Sequence, residues 1–285
     1  MSITVDLNNV CICRDSVLNM LNKLDGKNSI GPDGLPQSFF KACGSSLALP
    51  LSNLFTVSLN SGKFPTLWKS AHVVPVFKAG SKFDIENYRP ICILSTPSKI
   101  FESIVTDQMS EKFKNVISSC QHGFYSKRST TTNLLTLVSY VINAFENGLD
   151  VHVIYTDFSK AFDTVNHSAL LHKLYVYGVR DPLFSWLRSY ILDRTQCVFL
   201  NDSKYAHYDV TSGVPQGSVI GPLLFNVFIN DICFTIKCHK LLYADDLKIF
   251  KSICSQNDIV RLQSDVTLVE NWSSNNGMAL NKNKC

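Results

Sequence analysis

The sequence predicts an α+β protein in two lobes. Two patterns carry the prediction: residues up to about 145 read as helix by apolar period, and strands interleave with helices from Val151 onward. A third observation makes a folded core expected, since 45% of the 285 residues are hydrophobic and 18% charged. Lys and Arg outnumber Asp and Glu by 27 to 23, for a net charge of +4, which admits a nucleic-acid partner without pointing to one. The start MSITVDLNNVCICRDS has no basic stretch followed by an apolar core, so the ten cysteines read as free thiols in a reducing compartment. Cys11 and Cys13 are one residue apart, and Cys233, Cys238 and His239 cluster only loosely. With no pair of CxxC elements, zinc ligation is not expected. The most apolar run, Val214 to Ile232, is broken by Pro215, Gln216, Asn226, Asn230 and Asp231, so no membrane span is expected.

Taken in order, DSVLNMLNKL at 15–24 sets Val17, Leu18, Leu21 and Leu24 on one helical stripe, with Asp15 or Ser16 as cap. NSIGPDGLP at 28–36 is turn chemistry, and a second helix is expected over Leu47 to Leu59. AHVVPVFKAG at 71–80 reads as a short strand with Pro75 marking an edge or bulge. Helices follow at 97–114 and 130–146. VHVIYTD is a strand that places Val151, Val153, Tyr155 and Asp157 on one parity. Leu170, Leu174 and Tyr177 mark a helix stopped by Gly178; Leu183, Leu187, Tyr190 and Ile191 mark another. CVFL at 197–200 is a strand, KLLYADDLKIF at 240–250 is two strands about a tight turn, and Asn257 caps a helix carrying Ile259, Leu262, Val266 and Val269.

The chemistry concentrates in YADD at 243–246, two adjacent carboxylates within an apolar hairpin. Such a pair is either a solvated turn or a site whose mutual repulsion is relieved by a cation. A second strand ends in Asp157, followed by FSKAFD, and this favours the cation. Carboxylates at strand ends from separate segments can hold two divalent ions about 3.5–4 Å apart, the clamp used for in-line phosphoryl displacement. Hard oxygen donors suit magnesium. GVPQGSVIGPLLF at 213–225 adds a Gly-Pro-Gly turn that lets backbone approach a ligand closely, with the Gln216 amide on it, before a helix burying Leu223, Leu224, Val227 and Phe228.

The ordered set NYRPICILSTPSKIFE, QHGFYSKRSTTTNL, YTDFSKAFDTVNH, GVPQGSVIGPLLFNVFINDI and LLYADD resembles the reverse transcriptases of non-LTR, LINE-type retrotransposons, with the jockey-like branch nearest. GPDGLP and NWSSNNGMALNKNK extend the resemblance over residues 28 to 284. It implies a right-hand polymerase fold: an N-terminal helical extension and start of the fingers at 1–70, fingers at 71–148, and a palm with antiparallel sheet at 149–285. The chain stops at Cys285, where a thumb would begin, so the thumb is expected to be absent. The resemblance assigns Asp157, Asp245 and Asp246 as catalytic, metal-binding carboxylates, and gives the backbone carbonyl of Phe158 a metal contact. Phe162 would lie under the sugar of the incoming nucleotide and exclude a 2′-hydroxyl. Asp163 is read as a helix cap or structural ligand. Lys78 and Arg89 would hold the triphosphate, and Gln216 would line the nucleotide site. Residues 121–128 would form a loop near template or nucleotide, and Lys284 would assist pyrophosphate departure.

The implied activity is RNA-directed DNA synthesis: a primer 3′-hydroxyl attacks the α-phosphate of a deoxynucleoside triphosphate with two Mg2+ ions, for which Mn2+ is a substitute. The expected partners are an RNA template, a DNA primer and deoxynucleotides, with no membrane. A full-length element would add an endonuclease and a thumb, and would act in the nucleus or cytoplasm as a ribonucleoprotein. An RNA-directed RNA polymerase is disfavoured because Phe162 stands where such enzymes usually carry a polar residue. The second expectation is a truncated or domesticated copy that binds nucleic acid without polymerising.

Overall fold

In the computed structural model the described residues are 4–26, 29–200, 203–281 and 284–285. The chain divides into two compact units, each built from separate stretches of sequence: residues 1–116 with 171–221, and 117–170 with 222–285.

The first unit holds helices α1 (Arg14–Asn22), α2 (Gln37–Ala42), α3 (Gly44–Asn60), α4 (Thr96–Phe113) and α7 (Leu183–Ile191). Helix α6 (His167–Val176) enters it from the second unit. Its sheet has the order β2-β1-β4-β5, formed by β1 (Ser70–Phe77), β2 (Tyr88–Ile93), β4 (Arg194–Leu200) and β5 (Ser203–Val210). β1 pairs antiparallel with β2 over His72–Phe77 and parallel with β4 over Ser70–Val73. Pro75 therefore lies where one side of β1 is open, and its missing N–H costs no ladder bond there.

The core of this unit is aromatic. Phe55 and Phe101 stack at 4.4 Å, Phe101 tilts onto Trp186 at 4.7 Å, and Phe64 meets Trp186 and Tyr190 edge-on at 5.4 and 5.0 Å. Beside it lies a carboxylate with no exposed surface, Glu102. Its Oε1 accepts from Ser98 Oγ at 2.8 Å and its Oε2 from the Val219 amide at 2.8 Å. Burial pushes this carboxyl above its ordinary range, opposed in part by the Arg194 guanidinium and by those hydrogen bonds.

The second unit holds α5 (Thr130–Glu146), the start of α6, most of α8 (Gly221–Ile229), α9 (Ile232–Thr235) and α10 (Gln256–Asn276). Its antiparallel sheet runs β3-β7-β6, from β3 (Asp150–Thr156), β6 (His239–Tyr243) and β7 (Asp246–Ile253). Leu137 of α5 packs with Leu241 and Phe250, and Val151 and Val153 close over this cluster. The shared parity of Val151 and Val153 is what turns one face of β3 to the core. Helix α8 buries Leu223, Leu224, Val227 and Phe228, as its sequence predicts.

Several local expectations are corrected. Helix α10 is capped by Ser255, not Asn257: Ser255 and Asp258 form a reciprocal capping box. Cys13 rather than Asp15 or Ser16 is the N-cap of α1, with Ser16 returning a bond to its amide. At the start of α6 the Asn166 Oδ1 accepts from the Ala169 amide, and Asp163 is the last residue of a short 3-10 turn (Ala161–Asp163). Strands β2 and β5 are additions to the sequence reading. All ten cysteines are free thiols. Among the described residues no helix is long and apolar enough to cross a membrane.

Candidate active site

β3 and β7 pair in register from Asp150↔Ile253 to Thr156↔Leu247. The next position along places Asp157, at the end of β3, across from Asp246, the first residue of β7. β6 and β7 close a hairpin at Tyr243↔Asp246, leaving Ala244 and Asp245 as its two-residue tip. The tip turns on Ala244, which has φ +55°, the left-handed conformation such tight hairpins need and usually take from glycine. Sheet pairing thus gathers three carboxylates that are 88 or more positions apart on one side and adjacent on the other, without help from sequence proximity.

Their charges are felt. Burial raises the Asp245 carboxyl above its ordinary range, and the neighbouring Asp246 and Asp157 charges add to the rise. Asp157 Oδ2 accepts from Lys284 Nζ at 2.8 Å and from Asn281 Nδ2 at 3.2 Å. The Lys284 ammonium is correspondingly held above its usual value, chiefly by that hydrogen bond. A cavity of about 310 Å3 opens here, lined by Tyr155, Thr156, Asp157, Asp246, Lys248 and Lys284 together with Leu247.

The donor set suits a hard divalent cation: carboxylate oxygens, mutual repulsion, and an ammonium already seated on one of them. Among the described residues, however, no group of three or more His, Cys, Asp or Glu side chains is gathered closely enough to hold a metal ion as it stands.

The aromatic predicted to face the sugar, Phe162, is half-buried. It stacks on Phe225 of α8 at 4.3 Å with an interplanar angle of 16°, and meets Phe124 edge-on at 6.0 Å. Phe158 is buried against Trp272 and bridges Leu280 through its backbone.

Lys78, Arg89 and Gln216 belong to the first unit and gather about one hairpin. Arg89 pairs with Val76 across β1 and β2, and the Lys78 amide bonds the Asn87 carbonyl at 2.8 Å. Both cations are exposed. The Gln216 carbonyl accepts from the Cys92 amide at 2.7 Å, docking the GVPQG turn onto β2. Gly217, at φ +104°, explains the turn's glycine: a Cβ would lie 2.8 Å from the Cys92 carbonyl oxygen. The close approach seen is therefore to the β2 backbone.

Residues 78–285 match the family described as Reverse transcriptase (RNA-dependent DNA polymerase). The chain belongs to the reverse transcriptase family. It is 29% identical to a probable RNA-directed DNA polymerase from transposon BS of Drosophila melanogaster, over 90% of this chain and 30% of that protein. It is 28% identical to the RNA-directed DNA polymerase from mobile element jockey of the same organism, over 95% of this chain and 31% of the relative. A Pol polyprotein from type-1 retrotransposable element R2 of Popillia japonica is 25% identical over 81% of this chain and 34% of its own length. The chain thus spans about three-tenths of the length of the first two of these curated relatives.

Around these carboxylates the structure adds roles that the sequence did not assign to particular side chains. Tyr155 and Lys248 line the cavity, Asn281 bonds Asp157 through both its amide and its side chain, and Gln121 grips the hairpin tip. Lys248 and Tyr155 were accessible in principle, since they pair across β3 and β7. Asn281 and Gln121 act through long-range contacts that leave no periodic signal.

Proposed function

We propose that this chain carries the polymerising core of a non-LTR retrotransposon reverse transcriptase, extending a DNA primer along an RNA template. The observation that carries the reading is the register that sets Asp157 beside the adjacent Asp245 and Asp246. In this reading the fold is a right-hand polymerase, with residues 1–70 extending the fingers, 71–148 forming fingers, and 149–285 forming the palm.

Asp157, Asp245 and Asp246 would hold two divalent ions, Mg2+ in the cell, with the Phe158 carbonyl as a further oxygen donor. When bound, such ions acidify the primer hydroxyl and neutralise charge on the triphosphate and departing pyrophosphate. Asp157 and Asp245 fix the position at which those charges meet. Phe162, braced by Phe225, presents a rigid ring that leaves no room for a 2′-hydroxyl. Lys78 and Arg89 donate to phosphate oxygens, Arg89 through its planar fork. Gln216 holds the nucleotide side of the GVPQG turn, and the 121–128 loop lies toward template or nucleotide. Lys284, already on Asp157, is placed to neutralise or protonate the leaving group. Template sequence is read by base pairing, so the protein contacts backbone and duplex shape, and the whole element acts inside the cell as a ribonucleoprotein.

The test is single-nucleotide addition to a DNA primer annealed to RNA, with Mg2+, comparing the parent with Asp245→Asn. Addition by the parent and none by the variant, at equal affinity for the primer–template, is expected. Equal addition by both removes the carboxylate assignment.

A further inference from the structure

The tip of the carboxylate hairpin is held by a side chain 123 residues away in sequence. Gln121 is 2% exposed. Its Oε1 accepts from the Ala244 amide at 2.9 Å, and its Nε2 donates to the Ala244 carbonyl at 3.2 Å. One carboxamide thus meets both backbone groups of the residue preceding Asp245, as a neighbouring strand would. The same Oε1 accepts from the Gly123 amide at 2.8 Å, which locks the carboxamide's own orientation.

The rest of the segment fixes Gln121 in turn. Leu242 of β6 donates to the Cys120 carbonyl at 2.9 Å, and its own carbonyl accepts from the His122 amide at 2.8 Å. Arg128 Nη1 donates to the Gln121 carbonyl at 2.6 Å. Gly123 lies against Ala244 so closely that any Cβ there would collide with the Ala244 backbone. Asn226 of α8, next to the Phe225 that stacks on Phe162, donates to the Gly123 carbonyl at 2.9 Å.

This geometry matters because Ala244 occupies a left-handed conformation that an alanine does not favour. Left to itself, a YADD tip would sample other turns and carry Asp245 with it. A side chain that saturates both Ala244 backbone groups selects one turn and so one direction for the Asp245 carboxylate.

We infer that Gln121 is a positioning residue for the metal-binding carboxylates, acting through the backbone of Ala244 rather than by touching substrate or ion. The inference rests on the reading of Asp157, Asp245 and Asp246 as the ion site. Outer-shell partners of this kind typically change metal affinity by about 10–100-fold when removed.

The experiment titrates Mn2+ against the full chain by electron paramagnetic resonance, with folding followed by circular dichroism. Gln121→Met removes every side-chain hydrogen bond at similar volume; Gln121→Asn keeps the amide but is too short to reach both Ala244 groups. Leu262→Ala, in the buried face of α10, supplies a destabilised comparison away from the tip. Expected is Mn2+ affinity lowered about 10-fold or more in whichever Gln121 variants fold, with Leu262→Ala binding as the parent does. A folded Gln121 variant that binds Mn2+ like the parent, while Asp245→Asn does not bind, overturns the role of Gln121 and leaves the ion site standing. A parent that binds no Mn2+, or an Asp245→Asn chain that binds it equally, overturns the ion site and the inference together.

Discussion

The ammonium of Lys284 lies 2.8 Å from Oδ2 of Asp157, bringing a residue at the end of the sequence onto the end of β3. The segment before it is tied to the same carboxylate region: the Asn281 amide bonds the Asp157 carbonyl at 2.8 Å, and the Ser159 amide bonds the Ala279 carbonyl at 2.8 Å. A divalent ion placed on Asp157 would have to share that oxygen with the ammonium or displace it.

Lys284→Gln should therefore bind Mn2+ more tightly than the parent at low salt. The difference should shrink as salt rises, because the ammonium is more than half exposed and its field is screened. Isothermal titration at two ionic strengths measures both effects. Weaker binding in the variant would mean that Lys284 supports ion binding instead of competing with it.

Phe162→Val should raise ribonucleotide incorporation relative to deoxynucleotide incorporation. It should also lose about 1 kcal/mol of stability, from the ring stack on Phe225. Competition assays with matched nucleotide pairs give the first quantity, and chemical denaturation the second. Loss of stability with unchanged sugar selection would identify Phe162 as packing alone.

The strand that ends before Asp157 and the hairpin about YADD are legible in the sequence because each is a short, largely apolar run bounded by carboxylates. Helix α5 was equally legible: its 3.6-residue period runs from Thr130 to Glu146, the bounds observed. Strand β5 was not, because SKYAHYDV is exposed along almost its whole length and carries no alternation to detect. β2 hid behind Pro90, which pairs with Pro75 where neither proline needs to donate. Ser255 and Asn257 are both cap-forming residues, and only Asp258 three positions after Ser255 distinguishes them. The grip of Gln121 on Ala244 is a side-chain bond to distant backbone, and such bonds follow from the fold rather than from any local pattern.

Glu102 predicts a pH dependence. Its folded-state pKa is raised, mainly by burial, so the folded chain holds the proton more firmly than the unfolded one. Its contribution to stability is complete below the unfolded carboxyl pKa and is lost as pH rises through the raised folded value. Glu102→Gln, which cannot ionise, should gain on the parent in melting temperature as pH rises from acidic to neutral. A constant gap between the two across that range would show that Glu102 titrates alike in the folded and unfolded chain, and a parent that gains on the variant would show that Arg194 and the Val219 amide hold it ionised.

The claim that Asp157, Asp245 and Asp246 together hold divalent ions is tested most directly by anomalous diffraction from crystals soaked in Mn2+. Peaks bonded to carboxylate oxygens of both Asp157 and Asp245, absent in crystals of Asp245→Asn, are the predicted result. Ordered Mn2+ only at other positions, with these three carboxylates uncoordinated, would contradict it.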